Sequence, residues 1–214
     1  MAVELQQNLS GKIEHIGLKD ALFTIHQNNT KSEVAIDASN FHTAILSLID
    51  WLEKQQWFPN VKAIGHRIIH GMKHTEAEVV TDGLLKELNS ITDYDPDHLP
   101  TEIEIIQLLK QKHPQLIQVA CFDTAFHTTI PLVAKIFAIP KKYYGQGIQR
   151  YGFHGTSYSY LMEELSRQDG TEVNGKIILA HLGSGASLAA VKGGKCIDTS
   201  MGFTPAKSVN STLN

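Results

Sequence analysis

The stretch Leu116-Ile117-Gln118-Val119-Ala120-Cys121-Phe122 is an almost continuous apolar run. Such a run reads as a strand buried on both faces, with helices packed above and below its sheet. That requirement points to an α/β fold. Asp123 follows immediately. In open α/β sheets, ligands gather beyond the carboxyl ends of the strands. An acid at that position is therefore a stronger functional candidate than an acid on a helix face.

The flanking segments supply the remaining layers. Lys12 to His15 and Ala21 to His26 read as two short strands joined by Gly17-Leu18-Lys19-Asp20. Phe41, Ile45, Leu48, Ile49 and Leu52 recur at helical spacing, which predicts an amphipathic helix over 40–56. A strand over 61–70 follows, then a short helix after Thr81. Next comes a proline-bounded loop, Asp93-Tyr94-Asp95-Pro96-Asp97-His98-Leu99-Pro100, and a helix with Pro100 near its first turn. Thr129 to Ala138 is expected to be helical, leading into a Tyr143-Tyr144-Gly145 loop. From Lys176 the texture changes to a β-meander. Its strands are Ile177 to Leu182, Ala186 to Val191 and Cys196 to Asp198, with turns at Gly183-Ser184-Gly185 and Gly193-Gly194. With no helices after it, such a meander is expected to leave one face bare and to lower solubility.

Composition narrows the function classes. The chain has 214 residues, 42% of them hydrophobic, and a net charge of -3. It is long enough for one large domain or two small ones, and it lacks the basic footprint of a nucleic-acid binder. No stretch approaches a membrane span, and the start, Met1 to Gln7, does not read as a secretory signal. Cys121 and Cys196 are far apart in apolar contexts, which favours reduced thiols in a cytoplasmic protein. His66 and His70 stand four apart, but in a strand, without the companions of a zinc site.

A second segment carries chemistry. Arg150-Tyr151-Gly152-Phe153-His154-Gly155-Thr156-Ser157 packs a cation, an imidazole, two glycines and two hydroxyls into a turn. Thr156 and Ser157 are good helix N-caps, and a helix is expected from Tyr158 to Gln168. His154 should then sit just before a helix N-terminus, where amide donors and the dipole favour an anion. The plainer reading is a packed turn with a core histidine.

In order along the chain, four segments stand together: Gly65-His66-Arg67-Ile68-Ile69-His70-Gly71, Phe122-Asp123-Thr124-Ala125-Phe126-His127, Arg150 to Ser157, and His181-Leu182-Gly183-Ser184-Gly185-Ala186-Ser187. With Asp198-Thr199-Ser200-Met201-Gly202-Phe203-Thr204-Pro205 they closely resemble the acetate kinase family. The resemblance implies an α/β, actin-like ATPase (ribonuclease H-like) fold, with residues 1–125 as a nearly complete first domain that lacks its first strand. Residues 126–214 would hold linker helices and the start of a second, nucleotide-binding domain. It implies reversible phosphoryl transfer from ATP to acetate or another short carboxylate, giving ADP and an acyl phosphate, with Mg²⁺. Arg67 matches a substrate-binding arginine, and Asp123 and His154 match catalytic positions. His181, Leu182, Gly183, Ser184 and Gly185 match a nucleotide-binding hairpin, and His98 aligns with a histidine of the family's proline-bounded loop. A cytoplasmic homodimer is implied, with no nucleic-acid or membrane partner.

The chemistry accepts these residue types. Phosphoryl transfer asks mainly for positioning and for stabilisation of charge on equatorial oxygens. An arginine can fork onto a carboxylate or phosphate, which a lysine cannot copy. A carboxylate nucleophile is ionised at neutral pH, so Asp123 is expected to orient magnesium or substrate rather than to act as a strong base. The plain alternatives are a strand-edge ion pair for Arg67 and a helix cap for Asp123. The family's first phosphate loop is not found before Lys12. The arginine, adenine pocket and magnesium-binding glutamate that follow in the family are not found after Pro205, so no metal ligand is identifiable. The chain is therefore expected to be a fragment, inactive by itself. The alternative is a non-catalytic remnant or interaction module of the same fold, as one half of a split kinase.

Overall fold

The computed structural model describes residues 6–168 and 173–205. The opening residues of the chain, 1–5, and the polar tail, 206–214, lie outside the described residues. Two compact units emerge, one built from Met1–Lys62 and Glu104–Leu116, the other from Ala63–Ile103 and Ile117–Asn214.

The first unit opens with an antiparallel meander, β1 (Leu9–Glu14), β2 (Leu22–Gln27) and β3 (Thr30–Ala35), in that spatial order. Asn28 and Asn29 both have positive φ, as the tight two-residue turn between β2 and β3 requires. The third strand was not expected from the sequence. Its residues, Thr-Lys-Ser-Glu-Val-Ala, are nearly all exposed at the sheet edge and show no apolar alternation. Helix α1 (Phe41–Glu53) follows, closed by a reciprocal cap: the Asn40 side chain accepts the Thr43 N–H at 3.0 Å, and Thr43 Oγ1 accepts the Asn40 N–H at 3.1 Å. Its buried face, Ala44, Ile45 and Ile49, belongs to a core that also holds Phe23 and Ile25. Trp51 packs edge-on to Phe23, 5.1 Å between ring centres.

The second unit carries the site. Strand β4 (Ala63–Ile68) lies parallel to β6 (Ile117–Phe122), and the two-residue β5 (Glu78–Val79) pairs antiparallel on the other side of β6. Helix α2 (Asp82–Ser90) is capped by Thr81, and α3 (Leu99–Lys112), of which only Leu99–Ile103 belong to this unit, has Pro100 in its first turn. The sheet is mixed, and β6 is not buried on both faces. Gln118, Ala120 and Phe122 are buried, Val119 and Cys121 are half-buried, and Ile117 is 53% exposed. The run thus conceals an alternation, because the buried face accepts a polar residue: Gln118 bonds His66 at 2.7 Å.

Helix α4 is shorter than expected, Leu132–Lys135 only. Pro131 forces the residue before it out of the helical region, so no helix can run through from Thr129. Helix α5 (Gly155–Arg167) then leads to the meander β7 (Lys176–Leu182), β8 (Ala186–Lys192) and β9 (Lys195–Thr199). Ile130, Tyr158, Leu179, Ala189, Val191 and Cys196 form one core cluster here. Ile69, Tyr151, Phe153 and Met201 form another, beneath the site.

Candidate active site

Asp123 continues the β4–β6 ladder through its N–H to Ile68 O at 2.9 Å. Its side chain is fully buried, and both oxygens are engaged. Oδ2 accepts Arg67 Nε at 3.1 Å, Arg67 Nη2 at 2.5 Å and the His154 N–H at 3.1 Å. Oδ1 accepts the Thr156 hydroxyl at 2.7 Å and the Thr156 N–H at 3.4 Å. The anion at the start of α5 is therefore the protein's own carboxylate. The sequence placed Thr156 and Ser157 as caps. Instead the helix begins at Gly155, with His154 in the cap position and no cap from its own side chain. Asp123 supplies the missing acceptor from a strand 31 residues earlier.

Two glycines make this approach possible. A Cβ on Gly155 would lie 2.0 Å from Asp123 O, and one on Gly152, at φ 74°, would lie 2.5 Å from the His127 ring. Between them His154 adopts φ 60°, a left-handed conformation that is unusual for a non-glycine residue and costs on the order of 1 kcal/mol. His127 helps to hold it there, since its Nε2 donates to Phe153 O at 2.9 Å and its Nδ1 meets Cys196 Sγ at 3.2 Å. Burial pushes the His127 imidazole down to about 4, so it stays neutral and keeps one donor and one acceptor.

The His154 ring is fixed on both sides. Nδ1 meets Ser187 Oγ at 2.8 Å, and that hydroxyl also meets the Tyr158 hydroxyl. Burial raises the Tyr158 phenol, which keeps its proton. When Tyr158 donates to Ser187 and Ser187 donates to His154 Nδ1, the ring proton lies on Nε2. His181 stacks on the same ring at 3.9 Å between centres. Burial, then His181, hold the His154 imidazole below its ordinary range. In that arrangement the group presented is an N–H donor at Nε2.

Arg67 is paired on one side and open on the other. Its side chain is 52% exposed, and the bond to Asp123 holds its guanidinium in the charged form. Arg67, Asp123 and His154 line a cavity of about 540 Å³ with Ser184 and Gly185 of the β7–β8 turn. Its apolar side is Ile69, Phe153, Met201 and Pro205, and the loop from Asp93 to His98 closes another side.

Of the residues the sequence singled out, Arg67, Asp123, His154, Ser184, Gly185 and His98 meet around this cavity. His181 stands behind His154, while Leu182 and Gly183 sit on the exposed outside of the turn. Arg150 is turned away: its guanidinium donates to the carbonyls of Ala134, Thr199 and Met201. Sequence reasoning missed Ser187 and Phe153 as site residues. Ser187 is recognisable only from the β7–β8 register, which pairs it with His181. Magnesium does not fit the described residues alone. They contain no group of three or more His, Cys, Asp or Glu side chains arranged for a metal, and Asp123's oxygens are filled by protein donors.

Comparison with known proteins decides the family. The Acetokinase family model matches residues 1–210. The chain belongs to the acetokinase family. Acetate kinases of Anoxybacillus flavithermus and Bacillus subtilis are each 40% identical over 205 residues, covering 93% of this chain and 52% of theirs. The crystal structure of a Francisella tularensis propionate kinase superposes with a TM-score of 0.84 at 34% identity, over 94% of this chain and 52% of that one. Porphyromonas gingivalis acetate kinase gives 0.80 at 29% identity, covering 92% of this chain and 52% of that chain. This acetokinase chain thus spans about half the length of the curated relatives it matches. Its fold is α/β and corresponds to about half of an actin-like ATPase fold.

Proposed function

We propose that this chain carries the acyl and phosphoryl wall of an acetate kinase-type phosphotransferase, reversible between ATP plus a short carboxylate and ADP plus an acyl phosphate. One observation carries the reading: Arg67 through its guanidinium and His154 through its backbone N–H are both held by one buried carboxylate at the edge of a cavity. In the forward direction the substrate carboxylate oxygen bonds to the γ-phosphorus as the bridging P–O bond to ADP breaks. Arg67 binds the anionic group through its free edge. His154 Nε2–H donates to an equatorial oxygen as charge builds there. Asp123 is the residue that positions both, rather than a base. The turn from His181 to Gly185 is assigned to the nucleotide phosphates, through the backbone of Ser184 and Gly185. Residues 1–125 and 126–214 are taken as parts of the two family domains, in a cytoplasmic homodimer. Magnesium enters with ATP, and no described residue is assigned to it.

The 214-residue chain alone is proposed to be inactive, since it spans half the length of its relatives. A second reading, a module that pairs with a separate half, draws support from the outer face of the meander. Ile178, Leu182, Leu188 and Ile197 are exposed there, with Leu182 at 82%. ATP-dependent acetyl hydroxamate formation tests both. A chimera with residues 1–205 in place of the matched half of the Bacillus subtilis enzyme should turn over, and Arg67→Gln should lower its rate about 10³-fold. A folded chimera whose rate is unaffected by Arg67→Gln contradicts the assignment. Turnover by the isolated chain, abolished by Asp123→Asn, contradicts its inactivity.

A further inference from the structure

Three titratable groups near Arg67 are not used by the proposed reaction: Asp95 and His98 line the cavity, and Glu102 is linked to it through Ile69. Asp95 and His98 pair through Oδ1 and Nδ1 at 2.8 Å. Asp95 is almost wholly buried, and its Oδ2 has no hydrogen-bond partner. Glu102, in the first turn of α3, accepts the Ile69 N–H through Oε2 at 3.1 Å. Ile69 stands two residues beyond Arg67 and lines the same cavity. That bond ties the first turn of α3 to the segment that carries the arginine.

The charged groups facing Glu102 are Asp95 and His98 from the loop and Arg67 from β4. Burial is the main cause of a carboxyl raised to about 7. The Ile69 N–H opposes the rise, Asp95 adds to it, and His98 and Arg67 oppose it. The backbone N–H of Ile69 needs only an acceptor, which the carboxyl supplies with or without its proton.

We propose that Glu102 is a positioning residue for Arg67 and the charge regulator of the cavity: it anchors Ile69 in either protonation state and, by gaining or losing one proton, sets how strongly the Arg67 wall attracts an anion. This rests on the reading that Arg67 receives the anionic group of the substrate. The sign is fixed. The deprotonated form adds a negative charge near Arg67 and weakens anion binding, so affinity falls as pH rises through about 7. By linkage, a bound anion makes Glu102 hold its proton more tightly.

Sulfate is the probe, because it remains a dianion throughout the range in which carboxyls and imidazoles titrate. Calorimetric titration of the 214-residue chain should give affinity falling about fivefold between pH 6 and pH 8.5 beyond the fall seen in Glu102→Gln. Comparison with Glu102→Gln removes the pH dependence that does not come from this carboxyl. In the unmodified chain, the Glu102 ¹³Cδ resonance should titrate near 7 and move upward with saturating sulfate. Identical pH dependence in the two proteins, or a Glu102 that titrates with ordinary carboxyls, overturns the proposal. Arg67→Gln separates it from its premise. If that variant binds sulfate as well as the unmodified chain at pH 6, the Arg67 reading fails. If it loses binding while Glu102→Gln keeps the full pH dependence, only the role of Glu102 fails.

Discussion

Replacing Asp123 by Asn tests whether the carboxylate is the tie that holds the site together. The change keeps the shape and removes the charge. Five donors converge on the two oxygens at 2.5 to 3.4 Å, and none of them can be reversed except the Thr156 hydroxyl. The least harmful placement puts the new amide NH₂ at the Oδ1 position, with the Thr156 hydroxyl turned to accept from it. The Thr156 N–H is then unpaired at the start of α5, at a cost of about 1 kcal/mol. The two Arg67 bonds become ordinary neutral-acceptor bonds, each losing about 1 kcal/mol. Part of that is recovered because Arg67 is half exposed and can be hydrated. The sum is about 2–3 kcal/mol for Asp123→Asn, and about 3–5 kcal/mol for Asp123→Ala, which also leaves the buried donors without any acceptor. Urea unfolding followed by circular dichroism reads these values directly. An Asp123→Ala chain within about 1 kcal/mol of the parent would refute the claim that this residue caps α5 and holds Arg67.

Other consequences are independent of that one. Gly155→Ala places a methyl group 2.0 Å from Asp123 O. It should prevent cooperative folding, whereas Gly65→Ala, with open space around its Cβ position, should melt close to the parent. Burial holds His70 and His127 down to about 4, below the unfolded value of 6.5. Their stabilising contribution is therefore complete above about pH 6.5 and lost as pH falls toward 4, by up to about 3 kcal/mol each. Glu102, raised to about 7, works in the opposite direction between about 7 and 4.5, so the net loss should steepen below about pH 5. Chemical denaturation across pH should show this, with a shallower acid limb in His127→Gln. Leu182→Ser, at the most exposed apolar side chain of the meander, should raise the solubility of the isolated chain without lowering its melting temperature. A melting temperature lowered by several degrees would mean that this face is packed.

Local signals were legible in the sequence because their physics is local. The spacing of Ile45 and Ile49, the short helix after Thr81, and the glycine turns of the meander were each read from a few neighbouring residues. β3 escaped because an exposed edge strand needs no apolar pattern, and α4 was overextended because one proline outweighs the surrounding propensity. Arg67, Asp123 and His154 were each nameable, but their relation was not. That Asp123 is both the partner of Arg67 and the cap of α5 depends on β4 and β6 pairing in register 67 to 121 and on α5 starting beside the end of β6. The helix N-terminus looked like a vacancy for a ligand because the residue that fills it comes from another element.

The central claim is that Arg67 and His154 form an anion-receiving wall, and the most direct test is calorimetric titration with acetyl phosphate of the unmodified chain and of Arg67→Gln. The account predicts saturable binding that weakens at least about tenfold in Arg67→Gln, the loss expected for a forked, charge-assisted contact. Equal affinity in both proteins, or no binding by a folded unmodified chain, would contradict it.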